Sequence, residues 1–303
     1  MQKMTRYRIA MNPIAPTLGQ RIPLRGPARL LTRSYINLSY QPSESLRRVT
    51  TKFGDQFDIN LSVYLEWCLW AFGAFEGHLA ELFTYLVRPG DRCIDVGANV
   101  GVHTVRLAKL VGDEGSVIAV EADEEQAGRA RNNIALNGLA NVLLVQAAAT
   151  RRGGESVILY RPDSLDTNKA RASVMPHPHL TGTATSVPTV AIDDVVSDSV
   201  AFMKIDVEGH EAAVVEGAAR TIDKSSPAII FEYCPGFVPD NSGTPIEALR
   251  GRGYHLFDVR NVRNRLTGRG SLALQPLLGF PDRGTDILAV CEPGIARVRS
   301  LIR

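Results

Sequence analysis

From residue 91 onward, short apolar runs rich in β-branched residues alternate with segments of helical periodicity. Six runs predict strands, at 93–96, 117–121, 142–147, 202–207, 229–233 and 287–291. Four segments predict helices, at 101–111, 124–137, 210–223 and 244–251. Because strands that are apolar throughout must be covered on both faces, we predict a doubly wound, Rossmann-like α/β fold with a mostly parallel sheet. Ligands of such sheets bind at the carboxyl ends of the strands.

Composition excludes several other classes of protein. The 303 residues are 45% hydrophobic and 22% charged, which is ordinary for a globular protein. The four cysteines are far apart and form no CxxC pair, so neither a zinc ribbon nor a thioredoxin-like site is expected. No apolar run reaches the roughly 18 residues that a membrane span needs, and no signal peptide is recognisable. We therefore expect a cytoplasmic protein without a membrane span.

Charge and periodicity divide the chain into three parts. Residues 1–60 predict a basic N-terminal arm, since residues 1–43 carry seven Lys or Arg and no acid. Residues 61–90 predict a helical lead-in, and 91–295 the main domain, with an insertion at 149–199 near the substrate pocket. The arm could contact nucleic acid or an acidic surface. We favour a poorly ordered extension or one that wraps a homodimer, and consider nucleic acid unlikely.

The loop after the first core strand predicts a nucleoside-containing cofactor. It reads Asp95-Val96-Gly97-Ala98-Asn99-Val100-Gly101, and Glu121 ends the next strand 20 residues later, where a carboxylate can accept the two ribose hydroxyls. The GxxxG spacing differs from the GxGxxG of dinucleotide sites, and a loop with an acid suits S-adenosylmethionine better than a diphosphate. The predicted cofactor-contacting residues are Asp95, Gly97, Ala98, Asn99, Gly101, Thr104, Glu121, Ala122, Gln146, Ala147 and Asp206.

Four motifs together resemble the FkbM family of class I, S-adenosylmethionine-dependent methyltransferases. They are the 95–101 loop with Glu121, the segment 204–211 (KIDVEGHE), the segment 189–194 (TVAIDD) and the element 73–76 (GAFE). The resemblance covers about residues 70–292. It implies a seven-stranded sheet of order 3-2-1-4-5-7-6, mostly O-methylation, and natural-product or sugar hydroxyls as acceptors. For Asp206 it implies a contact to the amino end of the cofactor.

The candidate reaction centre follows the fourth strand, at Asp206, Glu208 and His210. Methyl transfer to an alcohol is assisted by a base that removes the hydroxyl proton. His210, with an ordinary pKa of about 6.5, is one candidate base, and Glu208 is the other. Asp206-Val207-Glu208-Gly209 replaces the [DN]-PP-[YFW] element of enzymes that methylate the exocyclic amines of bases, which disfavours a nucleobase acceptor.

Fewer residues can be assigned to binding of the methyl acceptor. Candidate substrate residues are Glu76, Ser173, Glu232 and Tyr233. The oxygens of Asp206, Glu208, Glu232 and Tyr233 could hold a divalent cation, but without a second recognisable acid pair no metal is expected. Loop residues of the insertion are expected to overhang the pocket: Ser164, Asn168, Ser173, His177 and His179. A small arginine cluster could meet an acidic acceptor or be solvated: Arg260, Arg263, Arg265 and Arg269.

The sequence thus favours an S-adenosylmethionine-dependent O-methyltransferase acting on a hydroxyl of a small molecule, a sugar or a polyketide-type product. Methylation of a carboxylate or an amine is one alternative. The other is a cofactor-binding module without catalysis of its own, held in an assembly by the basic arm. Lys204 is expected to pair with a carboxylate, and His103, in the first turn of a helix, to point to solvent.

Overall fold

The structure, a computed structural model, describes residues 46–163, 172–176, 180–235, 244–263 and 270–303. Its strands are β1 (Leu46–Thr50), β2 (Gln56–Asn60), β3 (Arg92–Val96), β4 (Ser116–Glu121), β5 (Val142–Gln146), β6 (Ala148–Ala149), β7 (Ser156–Tyr160), β8 (Ala184–Val190), β9 (Phe202–Ile205), β10 (Ala228–Tyr233), β11 (His255–Arg263), β12 (Gly270–Pro276) and β13 (Thr285–Val290). Its α-helices are α1 (Tyr64–Phe72), α2 (Gly77–Leu86), α3 (Val102–Val111), α4 (Glu124–Leu136), α5 (Ile192–Val195), α6 (Glu211–Gly217), α7 (Ala219–Ser225), α8 (Pro245–Arg250) and α9 (Glu292–Val298).

Eight strands form the central sheet, in the order β12-β11-β13-β10-β9-β3-β4-β5. From β10 to β5 all neighbours are parallel, whereas β13 is antiparallel to both β10 and β11. Apart from β12, this is the 3-2-1-4-5-7-6 order of the class I methyltransferase fold, so the predicted fold is confirmed. The predicted number of seven strands is corrected to eight, because β12 pairs with β11 as an antiparallel hairpin at the edge.

Apolar side chains cover the sheet on both faces. In β10, Ile229 and Phe231 face one side, which α6, α7 and α8 cover, while Ile230 faces the other, which α2, α3 and α9 cover. All three side chains are buried, as expected for a strand that is apolar throughout. The sheet is therefore held by two hydrophobic cores, and its carboxyl edge is left for polar groups.

Residues 46–90, which precede the central sheet, form a β-hairpin as well as two helices. Residues 46–60, which fall within the predicted arm, form the antiparallel hairpin β1–β2. Phe57, Ile59 and Trp67 pack in a third core with Val105 of α3 and Ile134 of α4. Residues 61–90 contain α1 and α2, and burial of apolar surface attaches the hairpin and α1 to the main domain.

The insertion also has a structure of its own. Its strands β6, β8 and β7 form a small sheet beside the main one, with β8 in the middle. Within the described ranges, no helix is long and apolar enough to cross a membrane. Six of the singled-out residues lie outside the described part of the chain: Ser164, Asn168, His177, His179, Arg265 and Arg269. So do residues 1–45, the larger part of the predicted arm.

Candidate active site

A cavity of about 380 Å³ opens at the carboxyl ends of the central parallel strands. Most of the predicted site residues line it together: Gly97, Ala98, Asn99, Glu121, Ala122, Ala147, Asp206, Glu208, His210, Glu76, Ser173 and Glu232. Five others do not line it: Asp95, Gly101, Thr104, Gln146 and Tyr233. The cofactor loop and the reaction centre, 110 residues apart in the chain, thus share one space.

Gly97 allows the cofactor loop to lie flat across the sheet. Its φ is 80°, and a Cβ built on it would stand 1.8 Å from the carbonyl oxygen of Asp206. The N–H groups of Gly97 and Ala98 both donate to the carbonyl oxygen of Val120, at 2.9 and 3.1 Å. Any side chain at position 97 would push the loop away from the end of β9, so this position requires glycine.

Glu121 fastens the same loop from the neighbouring strand. One carboxylate oxygen accepts the N–H of Asn99 at 2.7 Å and the other accepts the N–H of Asp123 at 2.8 Å. Burial raises the pKa of Glu121 to about 7, although these two hydrogen bonds oppose the shift. Since a carboxylate oxygen has more than one lone pair, Glu121 can still accept hydroxyl groups from a bound molecule.

The remaining predicted cofactor residues support the cavity from behind. The hydroxyl of Thr104 donates to Asp95 Oδ2 at 2.5 Å, and both residues are fully buried. Asp95 Oδ1 is buried and has no hydrogen-bond partner within the described ranges. Gly101 begins α3 with a φ of 86°, and Gln146 Nε2 donates to the carbonyl oxygen of Ala122 at 3.3 Å. Direct contact of these residues with a cofactor stays a prediction.

Carboxylates crowd the other end of the cavity. Lys204, only 3% exposed, donates to Asp206 Oδ2 at 2.9 Å, as the sequence predicted. Burial alone would raise the pKa of Asp206, but the Lys204 ammonium holds it below its usual range. Burial raises the pKa of Glu232 to about 8, and the negative charges of Asp206 and Glu208 add to the shift. Asp206 is therefore charged near neutral pH, whereas Glu232 keeps a proton.

Asp206, Glu208 and Glu232 offer oxygen atoms that all lie within 4.8 Å of one another. This spacing would suit a divalent cation, but Lys204 already supplies a positive charge to the group. Tyr233, the fourth suggested ligand, points elsewhere, because its ring packs against Phe280 at 6.4 Å between centroids. The ammonium group of Lys204 is thus a positive charge in direct contact with this cluster.

The turn from β9 to α6 presents Glu208 and His210. Glu208 has a φ of 50° and Gly209 of 96°. Ser173, predicted as a substrate residue, holds this turn, since its hydroxyl donates to the carbonyl oxygen of Glu208 at 2.7 Å. From within α6, Glu211 Oε1 accepts the N–H groups of Val207 and Gly209 at 3.2 and 3.1 Å.

His210 is available as a proton acceptor. Burial lowers the pKa of its imidazole, and the nearby positive charge of Arg151 lowers it further. The neutral imidazole therefore predominates at neutral pH, and a neutral imidazole carries one nitrogen that can take a proton.

His103 corrects the sequence-based expectation. It was expected to point to solvent, but it is 8% exposed and its Nε2 lies 2.9 Å from Glu76 Oε2. The ring of Phe83 contacts it edge-on, with centroids 5.4 Å apart. Helix α2 covers the first turn of α3, which the periodicity of α3 alone does not show. The pair holds Glu76 at the cavity wall.

Backbone strain is concentrated at this cavity. Four non-glycine residues in the described part have positive φ: Glu76, Asn99, Glu208 and Ser226. The first three line the cavity. Such conformations cost on the order of 1–3 kcal/mol each and persist at sites where geometry is used. Another wall of the cavity, formed by Val63, Tyr64 and Leu65 of the lead-in, was not predicted from the sequence. No local motif marks these residues.

The comparisons with known proteins agree with this geometry. The family model described as "Methyltransferase FkbM domain" matches residues 95–266. Protein-L-isoaspartate O-methyltransferase of Methanopyrus kandleri is 41% identical over 63 residues, which are 20% of this chain and 28% of that protein. Ubiquinone/menaquinone biosynthesis C-methyltransferase UbiE of Teredinibacter turnerae is 39% identical over 64 residues, 21% of this chain and 26% of that protein. The chain thus spans less than a third of the length of these curated relatives.

Among solved structures, the methyltransferase FkbM of Methylobacillus flagellatus KT is similar to 69% of this chain and 50% of its own, at 15% identity and a TM-score of 0.40. The family match covers more than half of the 303 residues and includes the cofactor loop, Glu121 and the segment 204–211. The chain therefore belongs to the FkbM family of S-adenosylmethionine-dependent methyltransferases.

Proposed function

We propose that the chain is an S-adenosylmethionine-dependent O-methyltransferase that acts on a hydroxyl group of a small molecule, a sugar or a polyketide-type natural product. One observation carries the proposal. A single cavity joins a loop built for close approach, at Gly97 and Glu121, to a group of proton-accepting side chains at Asp206, Glu208 and His210.

The residues present fit S-adenosylmethionine. Any side chain at 97 would clash with Asp206, so the loop keeps a flat surface on which a ligand can lie. In this proposal Glu121 accepts the ribose hydroxyls, Ala122 and Ala147 border the adenine, and Asp206 meets the amino group. When bound, the cofactor supplies an electrophilic methyl group on a sulfonium.

The chain's own part in the reaction is alignment and proton transfer. Reacting atoms must be held about 3–3.5 Å apart and in line, which a shared cavity lined by Gly97 and Glu208 favours. His210 takes the proton from the acceptor hydroxyl, with Glu208 as the rival base. A positioned base typically contributes about 10²–10⁴-fold to the rate. Because Lys204 already pairs with Asp206, we expect no metal at this group of carboxyls, and EDTA is expected to leave the rate unchanged.

The two alternatives differ in chemistry. A carboxylate acceptor would be repelled by Asp206 and Glu208, and an amine acceptor would be held there as an unreactive ammonium. A binding module without catalysis would bind cofactor equally well but release no product.

The test is transfer of label from methyl-labelled S-adenosylmethionine to a panel of sugars and polyketides, with matched carboxylic acids and amines. Labelled methyl ethers are expected. Tight cofactor binding without turnover on any acceptor would favour the binding module, and labelled esters or amines would contradict hydroxyl methylation.

A further inference from the structure

A second cavity, of about 530 Å³, lies beyond His210. Four separate stretches of chain line the first cavity and then, within two residues, the second. They pass from Ala149 to Thr150, from Leu159 to Val157, from Val174 to Met175, and along the turn that ends in His210. His210 itself lines both. The second cavity therefore adjoins the first, and His210 lies between them.

The turn 150–155 forms one wall of the second cavity, and it is firmly held. The Thr150 hydroxyl donates to the carbonyl oxygen of Arg152 at 2.7 Å. The Thr189 hydroxyl accepts the N–H of Glu155 at 3.0 Å. Gly217 of α6 packs so closely that a Cβ on it would stand 2.0 Å from the carbonyl oxygen of Thr150. The side chains of this turn thus start from a fixed backbone.

The charges of the two cavities differ. The first is lined by five carboxyl side chains, of which Glu232 keeps a proton near neutral pH, and by one cation, Lys204. The second is lined by two guanidinium groups, Arg151 and Arg152, and one carboxyl, Glu155. Arg151 is already engaged, since its guanidinium makes a two-pronged ion pair with Glu216. Within the described ranges, the guanidinium of Arg152 and the carboxylate of Glu155 make no hydrogen bond or ion pair with protein. Five N–H donors of Arg152 remain for a ligand.

We propose that this second cavity binds the far end of the methyl acceptor, and that this end carries a carboxylate or phosphate group held by Arg152. The inference rests on the function proposed above. A guanidinium binds either oxyanion through two parallel hydrogen bonds. The carboxylates of the first cavity repel such a group, so they direct it past His210. Glu155, on the same wall, accepts a hydroxyl, which suits a sugar acid or a sugar phosphate.

The experiment is calorimetric titration of the full chain saturated with S-adenosylhomocysteine. The probes are inorganic phosphate, glucuronate and, as a neutral match, glucose. Arg152→Gln is expected to weaken binding of phosphate or glucuronate at least ten-fold and to leave glucose unchanged. Arg152→Lys keeps the positive charge but cannot make two parallel hydrogen bonds to one oxyanion. Its anion affinity is expected to lie between those of the wild type and Arg152→Gln. Arg88→Gln, an exposed arginine outside both cavities, is the matched control. Preference for phosphate over glucuronate, or the reverse, identifies the source of the oxyanion.

The inference is overturned if neither anion binds while S-adenosylhomocysteine does, or if Arg152→Gln binds the anions as tightly as the wild type. It is also overturned if Arg88→Gln weakens anion binding to the same degree. Failure of the wild-type chain to bind S-adenosylhomocysteine would instead overturn the proposed function. Unchanged S-adenosylhomocysteine affinity in Arg152→Gln shows that the variant is folded.

Discussion

The two ends of the active-site cavity are built in opposite ways. At the cofactor end, Glu121 and the loop 97–101 are joined mainly through backbone N–H groups, and they lie within 25 residues of one another. At the reaction end, carboxyl groups converge from the lead-in, the β9 turn and β10, and Lys204 places a positive charge beside Asp206. The first end is a rigid surface made by close backbone approach. The second depends on which of its groups carry protons.

The sharpest test of this contrast removes the proton acceptor at the reaction end. His210→Ala is expected to lower turnover by about 10²–10⁴-fold and to leave the dissociation constant of S-adenosylhomocysteine unchanged. Single-turnover rates and calorimetric binding separate the two effects. Glu208→Gln is the companion variant, and a fully active His210→Ala chain would assign the base to Glu208.

At the cofactor end, Gly97→Ala is expected to weaken cofactor binding about 100-fold, because the new Cβ would collide with the Asp206 carbonyl and push the loop outward. The control is Gly90→Ala. Its φ of 83° matches the 80° of Gly97, but a Cβ there meets no atom within 4 Å. Both variants lose about 1–2 kcal/mol to backbone strain. Equal cofactor affinity in the two variants would show that the close approach does not shape the site.

Loss of the Glu121 carboxylate should have a smaller effect than the clash at Gly97. We expect Glu121→Ala to weaken cofactor binding about 10- to 100-fold, since hydrogen bonds to charged groups contribute about 1.5–3 kcal/mol each. Calorimetric titration with S-adenosylhomocysteine measures the change, and Glu125→Ala, in the first turn of α4, is the control. Unchanged affinity would remove Glu121 from the ribose site.

The pH dependence of stability gives the smallest of these signals, and Glu121 at the cofactor end contributes to it, since burial raises its pKa to about 7. Burial raises the pKa of Glu232 to about 8 and that of Glu211 to about 7. A carboxyl whose pKa is higher in the folded chain stabilises the fold fully below about pH 4.5 and loses that contribution as pH rises through the folded pKa. We therefore expect the Tm of the ligand-free chain to fall between about pH 4.5 and about pH 8, the range between the ordinary and the folded pKa values.

Glu232→Gln, which mimics the protonated acid, should flatten this fall. One group contributes at most about 1.4 kcal/mol per pH unit. Glu125→Gln should keep the wild-type profile. A Tm that is equally pH-dependent in both variants would show that Glu232 ionises normally in the folded chain.

The elements predicted correctly are those whose signal is local. The strand ends at Val96 and Glu121 follow from apolar runs next to small or acidic residues, and the structure has both at the predicted positions. The predicted helix 210–223 is present as α6 and α7, which meet at Ala218. The strands β11 and β12 were missed. Their residues 255–276 mix charged and apolar side chains, and β12 sits at the sheet edge, where pairing decides structure more than composition does.

The sequence by itself determined the alternating α/β order, the glycine-bearing loop and the carboxyl groups at the carboxyl ends of the first, second and fourth predicted strands. Each can be predicted from the hydrophobic periodicity of a short segment or from the steric requirement of a tight turn, because a few neighbouring residues suffice to show it. Only the tertiary structure decided that Asp95 and Thr104 lie behind the cavity, that His103 meets Glu76, and that the hairpin and α1 close one wall. Burial, and the pKa values that depend on it, arise from contacts between segments far apart in the chain, which no local pattern encodes.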